Sequence, residues 1–335
     1  MFDLISIGDS VVDTFIPLTD AKVLNSDGSD MLALRFGDKI PVGDSVSLVA
    51  GNAANNAIGS SRLGLKTAIY TNVGDKDEEQ FDQRIVAKFK LENVDTRYVI
   101  HDETLPSNHH IVLNFKGERT ILIHHQPWKF NLPDLEKSRW VYLTSMAPSY
   151  VESNVIEQLI NYIGRNGVKL VYQPGTFQIK QGVKKQNRPL SLCEVFFVNL
   201  EESKLLLGYE MSKNVPIKKL LKGLADLGPK MVVITDGEKG SYGIDAVPAG
   251  RQGEKYYQLG VFPAKLVEMT GAGDSYATGV LAGLFHGKDL SEAMRWGAAN
   301  GSSVVEQVGP QAGLLTFNQM QDKLKENSKI MAKEI

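Results

Sequence analysis

The stretch Thr270-Gly271-Ala272-Gly273-Asp274, continued by SYATGVLAGLF to residue 285, places a glycine-rich turn directly before a run of small and apolar residues. The run predicts a buried helix, whose first backbone N–H groups and dipole favour a bound anion. The glycines let a phosphate approach the backbone. Asp274 lies where that anion would lie, so it is a candidate for taking a proton from an attacking hydroxyl. The alternative is that Asp274 only caps the helix.

Around this stretch, short apolar runs alternate with amphipathic segments for most of the chain. Phe2–Gly8 and Lys66–Val73 predict strands, and Asn52–Leu63 and Tyr150–Arg165 predict helices. Such alternation predicts an α/β fold, in which a mostly parallel sheet carries helices on both faces.

Two segments, 12–49 and 98–125, contain strand-like runs with turns but no helix. Within the second, HHIVLNF, Lys116-Gly117 and ERTILIHH predict a hairpin that ends at residue 125. We expect the two segments to form a small β-sheet lid beside an α/β catalytic domain of residues 1–11, 50–97 and 126–335, with the nucleotide site in its C-terminal half. The alternative is that their strands extend the main sheet.

Composition excludes several classes of protein. The 335-residue chain is 42% hydrophobic and 23% charged, which is ordinary for a globular protein. Its net charge of −2 gives no basic footprint for nucleic acid. No apolar run reaches the roughly 18 residues of a membrane span, and the opening MFDLISIGDS does not resemble a signal peptide. The single cysteine, Cys193, lies in an apolar run, so we expect a cytoplasmic protein with a buried, inert thiol.

The common nucleotide and metal fingerprints are absent from the sequence. There is no G-x-x-x-x-G-K-[ST], no G-x-G-x-x-G after the first strand, and no H-E-x-x-H or paired C-x-x-C. His109-His110 and His124-His125 are each in a strand-like run, where neighbouring side chains point to opposite faces. Only one histidine of each pair can therefore face a given site, and a histidine metal site is not indicated.

Further polar candidates lie at the ends of predicted strands, where α/β sheets bind ligands. Asp13 is a candidate acceptor for a substrate hydroxyl, and in AGNAANNA (residues 50–57) Gly51 opens a helix while Asn55 offers both a donor and an acceptor. Asn199 and Glu202 either help to hold Mg²⁺ and its waters or start a helix with acidic residues placed for the dipole. The segment TDGEKG (residues 235–240) is either a phosphate-contacting turn or a plain hairpin.

Taken in order, these segments resemble the ribokinase-like (PfkB) carbohydrate kinase family from Gly8 to about Gly313. TGAGDSYATGVLAG (residues 270–283) resembles the family's C-terminal signature, and AGNAANNAIGSSRLG (residues 50–64) resembles its N-terminal signature. GERTI is similar to a lid-hairpin motif, NLEE to the N-x-x-E motif and TDGEKGS to a T-x-G-x-x-G segment. Ala298-Ala299-Asn300 and Val308-Gly309 resemble the region that flanks the adenine.

The resemblance implies a three-layer α/β/α sandwich with a small β-sheet lid. It implies transfer of the γ-phosphoryl group of ATP to a primary hydroxymethyl group of a small sugar or, alternatively, of a nucleoside. Asp274 would be the general base, and the N–H groups of Gly271, Ala272 and Gly273 would form an anion hole. The resemblance implies three further sets of contacts. The substrate would be bound by Asp13, Gly51 and Asn55, the nucleotide by Thr235, Gly237 and Asn300, and Mg²⁺ by Asn199 and Glu202. Lid sheets in this family often form dimer interfaces, so a homodimer is a further expectation.

Some positions depart from the family's pattern. Val11 replaces an asparagine of ribokinases, which argues against ribose itself, and Ile123-His124-His125 replaces the Tyr-Tyr-Arg of keto-deoxy-sugar-acid kinases, which argues against an acidic sugar. Glu268-Met269 replaces an Asp-Thr pair, which leaves K⁺ as an optional cofactor. Gln173-Pro174-Gly175 replaces a D-P-N-like segment, so contacts there do not transfer. A non-catalytic sensor on the same fold is a third alternative, which the intact Asp274 disfavours.

Overall fold

The computed structural model describes residues 1–26, 29–76, 80–246 and 253–335. Its strands are, in chain order, β1 (Phe2–Ile7), β2 (Val11–Pro17), β3 (Lys22–Ser26), β4 (Ser29–Ala33), β5 (Val46–Ala50), β6 (Thr67–Gly74), β7 (Asp95–Asp102), β8 (His109–Phe115), β9 (Glu118–His124), β10 (Ser138–Leu143), β11 (Lys169–Tyr172), β12 (Cys193–Asn199), β13 (Met231–Thr235), β14 (Ser241–Asp245), β15 (Lys255–Leu259) and β16 (Lys333–Glu334). Its helices are α1 (Asn52–Arg62), α2 (Phe81–Leu91), α3 (Val155–Asn166), α4 (Thr176–Lys180), α5 (Val183–Ser191), α6 (Leu200–Leu206), α7 (Ile217–Ala225), α8 (Ala272–Phe285), α9 (Leu290–Val304) and α10 (Phe317–Glu326).

The large sheet has ten strands in the order β16-β15-β14-β13-β12-β11-β10-β1-β6-β7. The seven strands from β13 to β7 are parallel, and β14, β15 and β16 add an antiparallel edge. All eight residues of β6 are buried, as expected for a strand covered on both faces. The predicted mostly parallel α/β sheet is therefore confirmed.

Helices cover both faces of the large sheet and make three layers. One hydrophobic core joins the sheet to α3 and α7, and two others join its opposite face to α8, α9, α1 and α2. The small residues of α8 permit close packing, since a Cβ at Gly279 would lie 2.4 Å from the backbone oxygen of Trp296 in α9. The predicted sandwich is confirmed, and no helix within the described residues is long and apolar enough to cross a bilayer.

A separate four-stranded small sheet has the order β5-β2-β8-β9, with β2 and β8 parallel. The predicted hairpin joins β8 to β9 through Lys116 and Gly117, which adopt φ angles of 53° and 84°. The predicted lid segment 98–125 begins too early, because β7 pairs with β6 and so belongs to the large sheet. Within 12–49, β3 and β4 form their own two-stranded hairpin instead of joining the small sheet.

Candidate active site

The carboxylate of Asp274 is buried in the first turn of α8, two residues after the helix begins. The N-cap of this helix is Gly271, without a side-chain cap, so Asp274 does not serve as the capping residue. Asn55 Nδ2 donates to Asp274 Oδ2 at 2.8 Å, and Gln173 Nε2 donates to Asp274 Oδ1 at 3.2 Å. Helix α1 is fixed against α8 by a bond from Asn56 Nδ2 to Thr278 Oγ1 at 3.0 Å, which keeps Asn55 beside the carboxylate.

Burial raises the pKa of Asp274 to about 6. The hydrogen bond from Asn55, the charge of Arg119 and the hydrogen bond from Gln173 act in the opposite direction, and the nearby charge of Asp13 adds to the rise. A carboxylate with such a pKa is ionised at neutral pH and accepts a proton more readily than an exposed aspartate does. This is the property that a general base needs.

The glycine turn before α8 is tightly packed on one side and open on the other. Gly271 has φ 82°, and a Cβ there would lie 2.4 Å from Pro310 Cβ. At Gly273, by contrast, a Cβ would meet only Gln173 Nε2, at 3.8 Å. The Ala272 N–H donates to the Met269 carbonyl at 3.2 Å, whereas the N–H groups of Gly271 and Gly273 have no backbone acceptor in the described chain. Two of the three N–H groups expected in the anion hole are thus free.

Two of the three predicted substrate residues are close to Asp274, since Asn55 donates a hydrogen bond to it and the charge of Asp13 acts on its pKa. Asp13 is on β2 and is buried, with its Oδ1 atom 3.3 Å from His110 Nδ1. Gly51 starts α1 with φ 103°, and a Cβ there would lie 2.5 Å from the backbone oxygen of Asp9. Asn55 is held from its other end by Gln311, whose Nε2 donates to Asn55 Oδ1 at 3.0 Å. Both ends of the Asn55 amide are thus bonded inside the protein, where the amide orients Asp274, and its contact with a substrate stays a prediction.

Sequence reasoning did not single out Asp9, His110, His125, Gln173 or Gln311 as members of this site. Asp9 and His125 approach to 3.8 Å, and the rings of His110 and His125 have centroids 5.2 Å apart. The sequence contained one relevant signal, the alternation of the strands, which allows only one histidine of each pair to face a given site. His109 faces the other way, with its Nε2 atom 2.8 Å from Thr14 Oγ1, and His124 is exposed.

Two segments predicted to bind Mg²⁺ and the nucleotide lie side by side at the carboxyl ends of neighbouring strands of the large sheet. Asn199 ends β12 beside Thr235, which ends β13 and leads into the turn of Gly237. A capping box starts α6, because Glu202 N–H donates to Asn199 Oδ1 at 2.8 Å and Asn199 N–H donates to Glu202 Oε2 at 2.9 Å. The local geometry therefore agrees with the interpretation that these two residues start a helix.

The same capping box is compatible with Mg²⁺. The second carboxylate oxygen of Glu202 makes no hydrogen bond within the described chain, and hydrated Mg²⁺ prefers such oxygen ligands. The pKa of Glu202 is raised, first by burial and then by the charges of Glu201 and Asp274, although the Asn199 N–H opposes the rise. A cation bound at the second carboxylate oxygen of Glu202 would offset this repulsion, so the residues present fit the metal.

Asn300 requires a correction. Its side chain is fully buried, with Nδ2 donating to the Ser275 carbonyl at 2.8 Å and Oδ1 accepting from Leu315 N–H at 3.0 Å. Because both ends of the amide are used inside the protein, Asn300 positions the segment after α9 and is not free to contact a nucleotide. Glu268 is likewise bonded within the protein, since its carboxylate accepts hydrogen bonds from Thr270 N–H and, at 3.3 Å, from Gly309 N–H.

A family model described as pfkB family carbohydrate kinase matches residues 16–316. The chain belongs to this family. The kinase is 29% identical over 294 residues to a 5-dehydro-2-deoxygluconokinase of Geobacillus thermodenitrificans, covering 82% of this chain and 83% of that one. It is 26% identical over 278 residues to a nucleoside kinase of Methanothermobacter thermautotrophicus, covering 80% and 82%.

A solved structure supports the same fold. Arabidopsis thaliana ribokinase, complexed with ribose and ATP, superposes with a TM-score of 0.75 at 20% identity, covering 97% of this chain and 99% of that one. The chain is thus a kinase of the PfkB family that acts on a hydroxyl of a sugar or nucleoside.

Proposed function

We propose that this kinase transfers the γ-phosphoryl group of ATP to a primary hydroxymethyl group of a small sugar, with Asp274 as general base. The observation that carries the proposal is the buried Asp274 carboxylate, with a pKa of about 6, beside the free N–H groups of Gly271 and Gly273. A proton acceptor and an anion-binding turn lie within one helical turn of each other, as phosphoryl transfer to an alcohol requires.

In the proposed reaction, the acceptor oxygen attacks the γ-phosphorus while its proton passes to Asp274. The bond between the γ-phosphorus and the bridging oxygen breaks, and ADP leaves. The N–H groups of Gly271 and Gly273 stabilise the charge on the transferring group. Mg²⁺, when bound near Asn199 and Glu202, supplies neutralisation of the phosphate charge.

The small sheet lies near the proposed base, because the charge of its β9 residue Arg119 acts to lower the pKa of Asp274. We propose that the small sheet acts as a lid over the acceptor, which limits the access of water as a competing phosphoryl acceptor. Thr235 and Gly237 would contact the nucleotide phosphates at the opposite edge. K⁺ stays an optional cofactor in this proposal.

A nucleoside kinase of the same family is the alternative, and the similarity to the Methanothermobacter nucleoside kinase favours it. A nucleoside base needs an aromatic surface for stacking. Of the aromatic candidates, Phe15 and Trp128 are buried and Phe36 is fully exposed on the segment that follows β4. Phe36 is therefore the one of the three whose ring is exposed for stacking.

A coupled ADP-release assay with Mg·ATP tests the proposal. The acceptor panel contains ribose, fructose, other hexoses, adenosine, inosine and cytidine, each with and without K⁺. We expect turnover on a sugar, and we expect Asp274→Asn to reduce kcat by about 100-fold or more while ATP affinity is kept. Preference for a nucleoside would favour the alternative, and near-normal turnover in Asp274→Asn would remove the assignment of the base.

We also propose a homodimer formed through the small sheet and the β3–β4 hairpin. All five residues of β3 are exposed, and the hairpin presents Val23, Leu24 and Met31 to solvent. An isolated two-stranded hairpin with an apolar surface is marginally stable in water, so a second copy is a suitable cover. Light scattering should give a dimer for the wild type and a monomer for Leu24→Glu; a wild-type monomer at micromolar concentration would contradict the proposal.

A further inference from the structure

Three side chains at one end of the large sheet bring together a set of metal-ligating atoms: Asp75, Asp82 and His101. One atom from each, either a carboxylate oxygen or an imidazole nitrogen, lies within 4.8 Å of the other two. Asp75 Oδ1 is 2.8 Å from His101 Nδ1. We call this cluster the β6–β7 triad, since it lies where these two strands end.

The fold brings the triad together from three elements. Asp75 directly follows β6, and His101 lies in β7, which is parallel to β6 and hydrogen-bonded to it. Asp82 is in the first turn of α2, which packs against both strands. His101 belongs to neither of the adjacent histidine pairs, so the strand alternation that divides each pair between two faces does not apply to it.

The buried carboxylate of Asp82 is an independent indication of a ligand. Asp82 is 8% exposed, and its carboxylate forms no hydrogen bond or ion pair within the described residues. In the same part of the chain, no lysine or arginine is paired with Asp75, whose partner is His101. Buried carboxylates are normally paired or bound to a metal, and two carboxylates this close repel each other. The triad therefore contains two like charges that a divalent cation would balance.

We propose that the β6–β7 triad binds a divalent transition-metal ion of the Zn²⁺ type. One imidazole and two carboxylates are ligands that Zn²⁺ accepts in a four-coordinate site, with water as the fourth ligand. Two ligand atoms at about 2.0 Å from a tetrahedral Zn²⁺ are roughly 3.3 Å apart, so the three atoms need to approach by at most about 1.5 Å. Mg²⁺ prefers oxygen ligands in an octahedral arrangement, so the imidazole favours Zn²⁺ over Mg²⁺.

The triad is separate from the site proposed for Mg²⁺ and the nucleotide. In the order of the large sheet, three strands lie between β6 and β12, and Asn199 is the last residue of β12. Neighbouring strands are roughly 4.8 Å apart, so β6 and β12 are roughly 19 Å apart. The triad can therefore be occupied or empty independently of Mg·ATP, and the inference does not rest on the proposed phosphoryl transfer.

A metal ion at the triad would fix the start of α2 next to the small sheet. Arg84 of α2 donates from Nη2 to the Ser47 carbonyl of β5 at 3.0 Å, and the rings of Phe81 and His109 have centroids 5.1 Å apart. A ligand that binds only the folded state raises the melting temperature. For a chain of this length we expect a rise of about 4 °C when the free Zn²⁺ concentration is about 100 times Kd.

Calorimetric titration of the nucleotide-free protein with Zn²⁺, and with Mg²⁺ for comparison, tests the proposal. We expect one equivalent of Zn²⁺ to bind with a Kd of about 1 µM or below, and Mg²⁺ to bind at least about 100-fold more weakly. Asp82→Asn and His101→Ala should each weaken Zn²⁺ binding by about 100-fold or more, because each removes one ligand. Asp322→Asn on α10 and His124→Ala on β9 change exposed residues of the same types and should leave it unchanged.

Nitrogen NMR of the imidazole rings gives a second readout. The ring signals of His101 should shift with one equivalent of Zn²⁺ in the wild type and should stay in place in Asp82→Asn. A thermal scan identifies a variant that fails to fold, and Asp75→Asn then takes its place.

Three results would overturn the inference. They are Zn²⁺ binding that is equally strong in both triad variants, an affinity for Mg²⁺ equal to that for Zn²⁺, and a Kd for Zn²⁺ above about 0.1 mM, which would indicate an adventitious ion only. None of these results concerns turnover with Mg·ATP, so each would leave the proposed function intact.

Discussion

Replacing Asn55 with alanine should raise the pKa of Asp274. The bond from Asn55 Nδ2 to Asp274 Oδ2 is 2.8 Å long and buried, and it stabilises the ionised carboxylate. A hydrogen bond to a charged group contributes roughly 1.5–3 kcal/mol, and one pKa unit corresponds to about 1.4 kcal/mol. With water replacing part of the lost bond, we expect the pKa to rise by about one unit from its value of about 6.

The sign of the pH effect follows from the role of the group. A general base works when deprotonated, so activity is lost as the pH falls through the pKa of Asp274. Raising that pKa moves the acid limb of kcat/KM to higher pH. In Gln173→Ala the limb should move in the same direction but less, because its bond to Asp274 is longer, at 3.2 Å. Asn187→Ala, an exposed residue of α5, is the control and should not move it.

Two measurements check this prediction. The first is the pH profile of kcat/KM for the best acceptor, from ADP release. The second is a carbon NMR titration of labelled aspartate carboxyl groups, in which the Asp274 signal is assigned by its loss in Asp274→Asn. The NMR titration separates Asp274 from Asp9, whose pKa burial raises to about 7. An acid limb and a carboxyl titration that both stay in place in Asn55→Ala would refute the reasoning.

Three further predictions concern stability and the glycine turn. Because burial raises the folded pKa of Asp9 from 3.8 to about 7, the stability that its neutral form contributes is complete below pH 3.8 and lost as the pH rises through 7. Thermal unfolding should therefore show Asp9→Asn gaining roughly 2–3 kcal/mol over the wild type between pH 5 and 8; a constant difference would contradict the shift. Asn300→Ala removes the bond to the Ser275 carbonyl and leaves the Leu315 N–H without its acceptor, so it should cost roughly 1–3 kcal/mol in urea unfolding, and a loss below about 0.5 kcal/mol would disprove its positioning role. Gly273→Ala meets only Gln173 Nε2 at 3.8 Å, so it should keep the wild-type melting temperature but lose about tenfold or more in kcat, and unchanged kcat would exclude a phosphoryl contact there.

Local patterns were sufficient for the layers and for the centre of the site. The glycine turn and small-residue helix predicted α8 and the placement of Asp274, and the Lys116-Gly117 turn predicted the β8–β9 hairpin. These features depend on residues that are close together in the sequence, so the spacing of those residues is enough to predict them.

Features that depend on long-range pairing were not predictable in the same way. His110 faces Asp13 only because β2 and β8 are parallel neighbours in one particular register. β7 was assigned to the lid because it reads as a strand without a helix, yet its partner is β6 in the large sheet. The amide of Asn300 is compatible with either a ligand or an internal contact, and only the folded course of the chain near Leu315 decides between them.

The connections between the two sheets have a mechanical consequence. The small sheet is joined to the large domain by the short segment after β1, by the Gly51 turn before α1 and by the segments next to β8 and β9. Asp9 and His125 lie in two of these joints with 3.8 Å between Oδ2 and Nε2, so a rotation of the small sheet would change the distance between them. If the small sheet is the lid proposed above, a substitution at either residue should therefore alter both the position of the small sheet and the binding of the acceptor beneath it.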